Sequence, residues 1–188
     1  MLTEPIKTYR EVVNLRDGAS VLLRLMTAED ENNLIELYAH VSDEDLMYLR
    51  DDVRDPVVIR EWCQDLDYAT VLPLLALAKE RIVGQATIHF RKGPRRHVGE
   101  VRIYLAKDFR RRGLGTRMVK SLIELTRRMD MHTLVAEVVT EQGQVIKAFQ
   151  NLGFVLRCTF DDFFMLPDGE LRDIAILTLP LRPKSYEF

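Results

Sequence analysis

The sequence predicts an α/β domain of the mixed kind, with one mostly antiparallel sheet of about seven strands flanked by helices. Three observations predict it. Short β-type runs joined by tight turns fill much of the chain before Val98. From Val98 the order becomes strand, helix, strand, helix, strand, which implies a parallel crossover. At the junction, the strand carrying Val101, Ile103 and Leu105 leads through a polar turn into a helix with Leu114, Met118, Leu122, Leu125 and Met129 on one stripe. A single domain over residues 1–188, with its core at about 20–180, is expected.

In chain order, Glu11–Leu15 and Val21–Leu25 flank Asp17-Gly18, a hairpin signal. Thr27 with Asp30 resembles a capping pair and opens a helix to about His40 with Leu34, Ile35 and Tyr38 on its buried face. Ser42–Arg54 is acidic, short helix plus loop. Asp55-Pro56 starts the helix carrying Ile59, Trp62, Cys63 and Leu66. Leu72–Ala78 and Ile82–Phe90 form a hairpin around Lys79–Arg81, and Arg91–Arg96 is a basic turn, read as an exposed hairpin tip. Then follow Val98–Leu105, Gly113–Met129, Thr133–Thr140, Gln144–Asn151 and Phe154–Phe160, with Ile174–Leu179 closing the sheet.

Composition bounds the function. With 47% hydrophobic and 30% charged residues the chain is globular, and a formal net charge of −2 argues against a nucleic-acid partner, which needs a basic surplus. Cys63 and Cys158 lie far apart without metal-ligand spacing and are expected as small buried hydrophobes; no metal is expected, and His40, His89, His97 and His132 form no ligand pattern. Met1–Ile6 has no apolar leader core and the longest apolar run, Val71–Ala78, is too short to span a membrane. These features predict no membrane partner and a cytoplasmic location.

The residues with the most specific chemistry are Arg110-Arg111-Arg112-Gly113-Leu114-Gly115-Thr116, where a strand becomes a helix. Backbone N–H groups of a first helical turn lack intrahelical partners, and the macrodipole adds roughly half a positive charge, so a diphosphate fits there. At Gly113 and Gly115 a Cβ would obstruct the turn or the close approach, and the arginines add positive charge able to reach phosphate oxygens. The run is neither a P-loop nor a dinucleotide fingerprint.

Strand, Arg110-x-x-Gly113-x-Gly115 and helix resemble the acyl-CoA-binding motif of the GNAT acetyltransferase superfamily, and Glu137-Val138 followed by Leu152-Gly153-Phe154 resembles its second motif. The resemblance covers about residues 20–180 and implies a GNAT-like acyl-CoA N-acyltransferase fold. It implies that Arg110, Arg111, Arg112, Gly113, Leu114, Gly115 and Thr116 hold the CoA diphosphate of acetyl-CoA, and that the backbone N–H at Leu105, where the central strands splay, binds the thioester carbonyl. The N-terminal helical region around Ser42–Arg54 would border the acceptor groove. Gln142 stands where many members have asparagine, and Phe149 where many have the tyrosine that protonates the leaving thiolate; both are carried as cofactor-binding positions. Leu152–Arg157, Thr27–Asp30 and Tyr48–Arg50 look most like bacterial protein-lysine acetyltransferases.

Glu137 is the candidate general base. Alternation puts it on one face with Val135 and Val139, where desolvation would make a carboxylate more basic; some members carry their base at this glutamate. Glu100 is the competitor, but Gly99 occupies the position where other members carry a base, and Glu100 points to the opposite face from Gly99. Tyr104, on the Glu100 face, is expected to pack under a helix. The reading is an acetyl-CoA-dependent N-acetyltransferase acting on a primary amine of a small molecule or protein, with a homodimer left open. Two alternatives remain: a CoA-binding module without turnover, permitted by Phe149 and Gly99, and an interaction domain using Arg91–Arg112 as a basic surface.

Overall fold

A computed structural model describes residues 4–182; Met1–Thr3 of the N-terminal reading lie outside the described residues. It contains helices α1 (Glu4–Lys7), α2 (Glu31–Ala39), α3 (Asp43–Leu46), α4 (Pro56–Gln64), α5 (Leu114–Arg128) and α6 (Gly143–Asn151). The strands are β1 (Arg10–Asn14), β2 (Ser20–Leu25), β3 (Val71–Ala78), β4 (Arg81–Phe90), β5 (Val98–Leu105), β6 (Thr133–Val139), β7 (Val155–Met165) and β8 (Leu171–Pro180). They form one sheet of eight strands, one more than expected, in the order β1-β2-β3-β4-β5-β6-β8-β7. The sheet is mixed: β5 pairs with β6 in parallel, whereas β1–β2, β2–β3, β6–β8 and β7–β8 are antiparallel.

Two compact units divide the chain, residues 1–87 with 103–119 and residues 88–102 with 120–188. In the first, Gly18 has φ +84°, the left-handed conformation the β1–β2 turn requires. The Asp30 carboxylate accepts from the Thr27 N–H at 2.8 Å and from the Arg24 guanidinium, so the expected capping pair forms. The residues after Thr27 begin as a 3-10 turn, Ala28–Asp30, before α2 proper. α2 buries Leu34, Leu37 and Tyr38; Ile35, expected on that face, is half-buried because Leu37 occupies the third inward position. Asp55 caps α4 by accepting from the Val57 N–H at 2.9 Å, with Pro56 at the first helical position.

Of the predicted α5 stripe, Leu114, Met118, Leu122 and Leu125 are each 0% exposed, and each contributes about 1.5–3 kcal/mol of burial. Met129 falls beyond the last helical residue and is half-buried. In the second unit, α6 ends on Gly153 at φ +92°, where the Phe154 N–H turns back to the Phe149 carbonyl at 3.1 Å. That closure is the physical content of the Leu-Gly-Phe sequence. β7 and β8 run longer than expected, because residue doublings between Leu156 and Cys158 and between Phe160 and Phe164 break the alternation from which strand length is read.

Candidate active site

Within the first unit, β5 ends at Leu105, a 3-10 turn spans Lys107–Phe109, and α5 begins at Leu114. Arg111 has φ +58° and Gly113 φ +88°, so the chain reverses through two left-handed residues before the helix starts. The first helix-type bond runs from the Arg117 N–H to the Gly113 carbonyl at 3.2 Å, so the N–H groups of Leu114, Gly115 and Thr116 lie in the first turn, ahead of the intrahelical ladder. No acidic residue lies in that turn. A bound anion there meets amides and dipole without a competing carboxylate.

The two glycines do different things. Gly113 supplies the positive φ. At Gly115 a Cβ would lie 3.3 Å from Leu105 Cδ1 and 3.5 Å from Ile103 Cδ1, so it would crowd the packing of α5 on β5 and Leu105 would have to give by a few tenths of an ångström.

The arginines expected to reach phosphate differ in their partners. Arg110 donates to both carboxylate oxygens of Asp45, at 3.0 and 2.8 Å, and through Nε to the Leu105 carbonyl at 3.0 Å. Its guanidinium also lies 5.6 Å from the Tyr104 ring centre. Burial works to raise the Asp45 carboxyl, but hydrogen bonds from Arg110 and Ser42 outweigh it and hold its pKa below the ordinary value. Arg112 is held by Asp17 and by the Asp108 carbonyl, with its guanidinium 4.3 Å from the Phe109 ring centre. Arg111 is exposed and, among the described residues, forms no ion pair. Tyr104 packs under α2 as expected, its ring stacked 5.2 Å from Tyr38.

Within the second unit, the β5–β6 ladder runs through Val98↔Thr133, Gly99↔Leu134 and Glu100↔Val135. Those are its last pairs among the described residues, although β6 continues to Val139 and pairs with β8 along its whole length. Because partners in a parallel ladder point to the same side, Glu100 and Val135 share a face, and Glu137 is the next residue of β6 on it. That face is half-covered at Val135 and Glu137, while Leu134, Ala136 and Val138 opposite are buried.

Arg91 is not the exposed tip the sequence suggested. Its Nη2 donates to Glu137 Oε1 at 3.2 Å and to Glu100 Oε2 at 3.3 Å, and Arg102 Nε donates to Glu100 Oε1 at 2.9 Å. Lys92, Arg95 and Arg96 are the exposed members of that turn. Sequence reasoning missed this link, since Arg91 stands 46 residues from Glu137 and only the strand order brings them together.

Gly99, where a carboxylate was sought, has no room for one: a Cβ would sit 2.5 Å from Ile88 Cγ2 and 3.2 Å from Leu134 Cδ2. Gln142 caps α6 through its backbone, its carbonyl accepting from Val145 and Ile146 at 2.8 and 3.1 Å. Phe149 is a core residue, 5% exposed, edge-on to Phe154 at 5.0 Å. Cys63 is buried as expected, but Cys158 is exposed, because β7 is an edge strand open to solvent.

β5 of this mixed sheet leads through a glycine-bearing turn into α5, an arrangement suited to a phosphate-bearing ligand. The profile of the Acetyltransferase (GNAT) family matches residues 34–154, more than half the chain, and the chain belongs to that family. Family members are acyl-CoA-dependent N-acetyltransferases, and acetyl-CoA is their cosubstrate. Similar solved structures include the ribosomal-protein-S5-alanine acetyltransferase of Vibrio fischeri, at 16% identity and TM-score 0.76, covering 87% of this chain and 96% of that one. The GNAT domain of S. lividans PAT shows 20% identity and TM-score 0.74, covering 91% and 96%. A GNAT-superfamily phosphinothricin acetyltransferase from Sinorhizobium meliloti, in complex with acetyl-CoA, shows 18% identity and TM-score 0.74, covering 85% and 88%. At these identities the likeness is one of fold.

Proposed function

We propose that residues 1–188 act as one N-acetyltransferase domain that moves the acetyl group of acetyl-CoA directly to a primary amine of a small molecule or protein, with Glu137 as general base. The observation that carries this is the place of Glu137: a partly exposed carboxylate, 21% open at its side chain, on the first same-face position of β6 past the end of the β5–β6 ladder.

A primary amine of pKa about 10.4 is neutral in only about one molecule in a few thousand at pH 7. Glu137 takes the ammonium proton, directly or through water, and the nitrogen lone pair then attacks the thioester carbonyl carbon. The N–C bond forms as the carbonyl π pair moves to oxygen, where the Leu105 N–H is the proposed donor to the oxyanion. Collapse breaks the C–S bond and sends its electron pair to sulfur. The nitrogen loses its second proton and the thiolate gains one, so one amide, one free thiol and one net proton result. Phe149 has no hydroxyl, and a thiolate whose acid has a pKa of about 8.5 takes that proton from solvent. No enzyme nucleophile is required.

The amides of Gly113–Thr116 and the side chain of Arg111 are assigned to the CoA diphosphate. A cytoplasmic location is part of the same reading; among the described residues no helix is long and apolar enough to cross a membrane. The test is thiol release from acetyl-CoA with an amine panel, on the unmutated protein and Glu137→Gln. Glu137→Gln is expected to lose about a hundred- to ten-thousandfold in turnover while keeping acetyl-CoA affinity. At one hundred times its Kd, acetyl-CoA should stabilise the fold by about 2.7 kcal/mol, and a nicotinamide dinucleotide should not. Full activity of Glu137→Gln overturns the assignment. Binding of acetyl-CoA without thiol release on any amine would instead support the second reading, a CoA-binding module, which the absence of a hydroxyl at Phe149 favours.

A further inference from the structure

We propose that Glu100 and Arg91 form a positioning pair that fixes the Glu137 carboxylate, and that Glu100 itself takes no proton from the acceptor. The proposal rests on the assignment of Glu137 as base. Both carboxylates compete for that role on sequence grounds, and the geometry separates them.

Glu100 has a guanidinium on each oxygen, Arg102 Nε on Oε1 at 2.9 Å and Arg91 Nη2 on Oε2 at 3.3 Å, and its side chain is 8% exposed. Glu137 accepts from the same Arg91 nitrogen through Oε1 at 3.2 Å, and its side chain is 21% exposed. An approaching ammonium therefore meets Glu137 first. Glu100 is an anchor: it holds Arg91 from the buried side, and Arg91 in turn fixes Glu137. A guanidinium on each oxygen lets a nearly buried carboxylate persist.

The backbone supports the same reading. Arg91 directly follows Phe90, the last residue of β4, and its N–H donates to the Val98 carbonyl at 3.1 Å, so the side chain starts from a point fixed on the first residue of β5. Without Arg91, Glu100 and Glu137 lose the donor that bridges them, and Glu137 loses the bond that orients its Oε1. A misplacement of about 1 Å at a reacting group costs on the order of a hundredfold in rate. Lysine at this position keeps a compact cation with three donors, able to touch both carboxylates, whereas methionine keeps only the bulk.

The experiment measures thiol release at saturating acetyl-CoA with spermidine, a lysine peptide, an amino-acid amide and an aminoglycoside, carrying the fastest acceptor forward. Variants are Glu137→Gln, Glu100→Gln, Arg91→Met, Arg91→Lys and the double Glu100→Gln/Arg91→Met. Calorimetric titration with acetyl-CoA reports folding of each, and if Arg91→Met does not fold, Glu100→Gln and Arg91→Lys carry the test. Expected are losses of about ten- to a hundredfold in kcat for Glu100→Gln and Arg91→Met, with the KM for acetyl-CoA within about twofold of the unmutated value. Arg91→Lys should recover most of the rate. The double variant should be no slower than the slower single variant, since both remove one tether.

Loss in Glu100→Gln as deep as in Glu137→Gln would make Glu100 a proton acceptor and overturn the proposal. So would unchanged kcat in Glu100→Gln and Arg91→Met beside an inactive Glu137→Gln, which leaves the function standing. Full activity of Glu137→Gln, or no thiol release with any acceptor, overturns the proposed function and this inference with it.

Discussion

Arg110 and Asp45, 65 residues apart, close on each other through two hydrogen bonds of 3.0 and 2.8 Å. The arginine that opens the glycine-bearing loop is thus tied to α3.

This division of labour predicts opposite phenotypes for neighbouring arginines. Asp45→Asn and Arg110→Met should lower the melting temperature by about 2–4 °C, the equivalent of about 1 kcal/mol for a part-exposed pair. They should change acetyl-CoA affinity little. Arg111→Ala should leave the melting temperature alone and weaken acetyl-CoA by about tenfold, less at high salt. Calorimetric titration alongside thermal melts reads both; equal effects of Arg110→Met and Arg111→Ala on affinity would contradict the assignment.

Acid should act first through the carboxylates held by arginine. Burial works to raise the Asp30 carboxyl, yet hydrogen bonds from Arg24 and Thr27 outweigh it and hold its pKa below the ordinary carboxylate value of 3.8. A lowered folded-state pKa means the unfolded chain binds the proton more readily. The stabilisation is complete above the unfolded value and is lost as pH falls through about 3.8 toward the folded one. Melting temperatures measured from pH 6 to 3 should be flat and then drop below about pH 4, and Asp30→Asn should be less stable at pH 6 with a shallower drop.

The two thiols should separate cleanly. Burial pushes the Cys63 thiol up to about 11, with the charges of Glu31 and Asp30 adding to the shift, while Cys158 is exposed on β7. A chromogenic disulfide at pH 8 should react fast with one thiol per native chain and with two after denaturation. Two fast thiols in the native state would place Cys63 at the surface.

Restoring a side chain at Gly99 should harm the protein. With Ile88 Cγ2 2.5 Å from the position of a Cβ, Gly99→Ala must displace packed neighbours. It should destabilise by about 1–3 kcal/mol, and Gly99→Glu by more, with no gain in turnover. Denaturant unfolding of the two variants measures this.

Much of the fold was legible because its signals are local. The α5 stripe, the Asp17-Gly18 turn, the Thr27–Asp30 cap and Gly153 at the end of α6 each depend on residues a few positions apart. Chemistry that depends on distant pairs was not legible. Nothing near Arg110 in sequence announces Asp45, and nothing near Arg91 announces Glu137, so the carboxylate partners of these arginines could not be read from the sequence. Strand length at β7 failed for another reason: Asp162, at φ +53°, and the extra residues around it scramble the alternation.

That irregular strand also bears on how the protein behaves when crowded. β7 is the terminal strand of the sheet, and Phe160, Phe163 and Met165 on it are 45%, 63% and 67% exposed. A flat edge of this composition would template fibrous growth by adding strands from other molecules. The left-handed turn at Asp162 and the doublings on either side of Cys158–Phe160 leave only a short straight stretch of backbone to copy. An incoming strand loses register within a few residues, so the apolar rim stays exposed without seeding an aggregate.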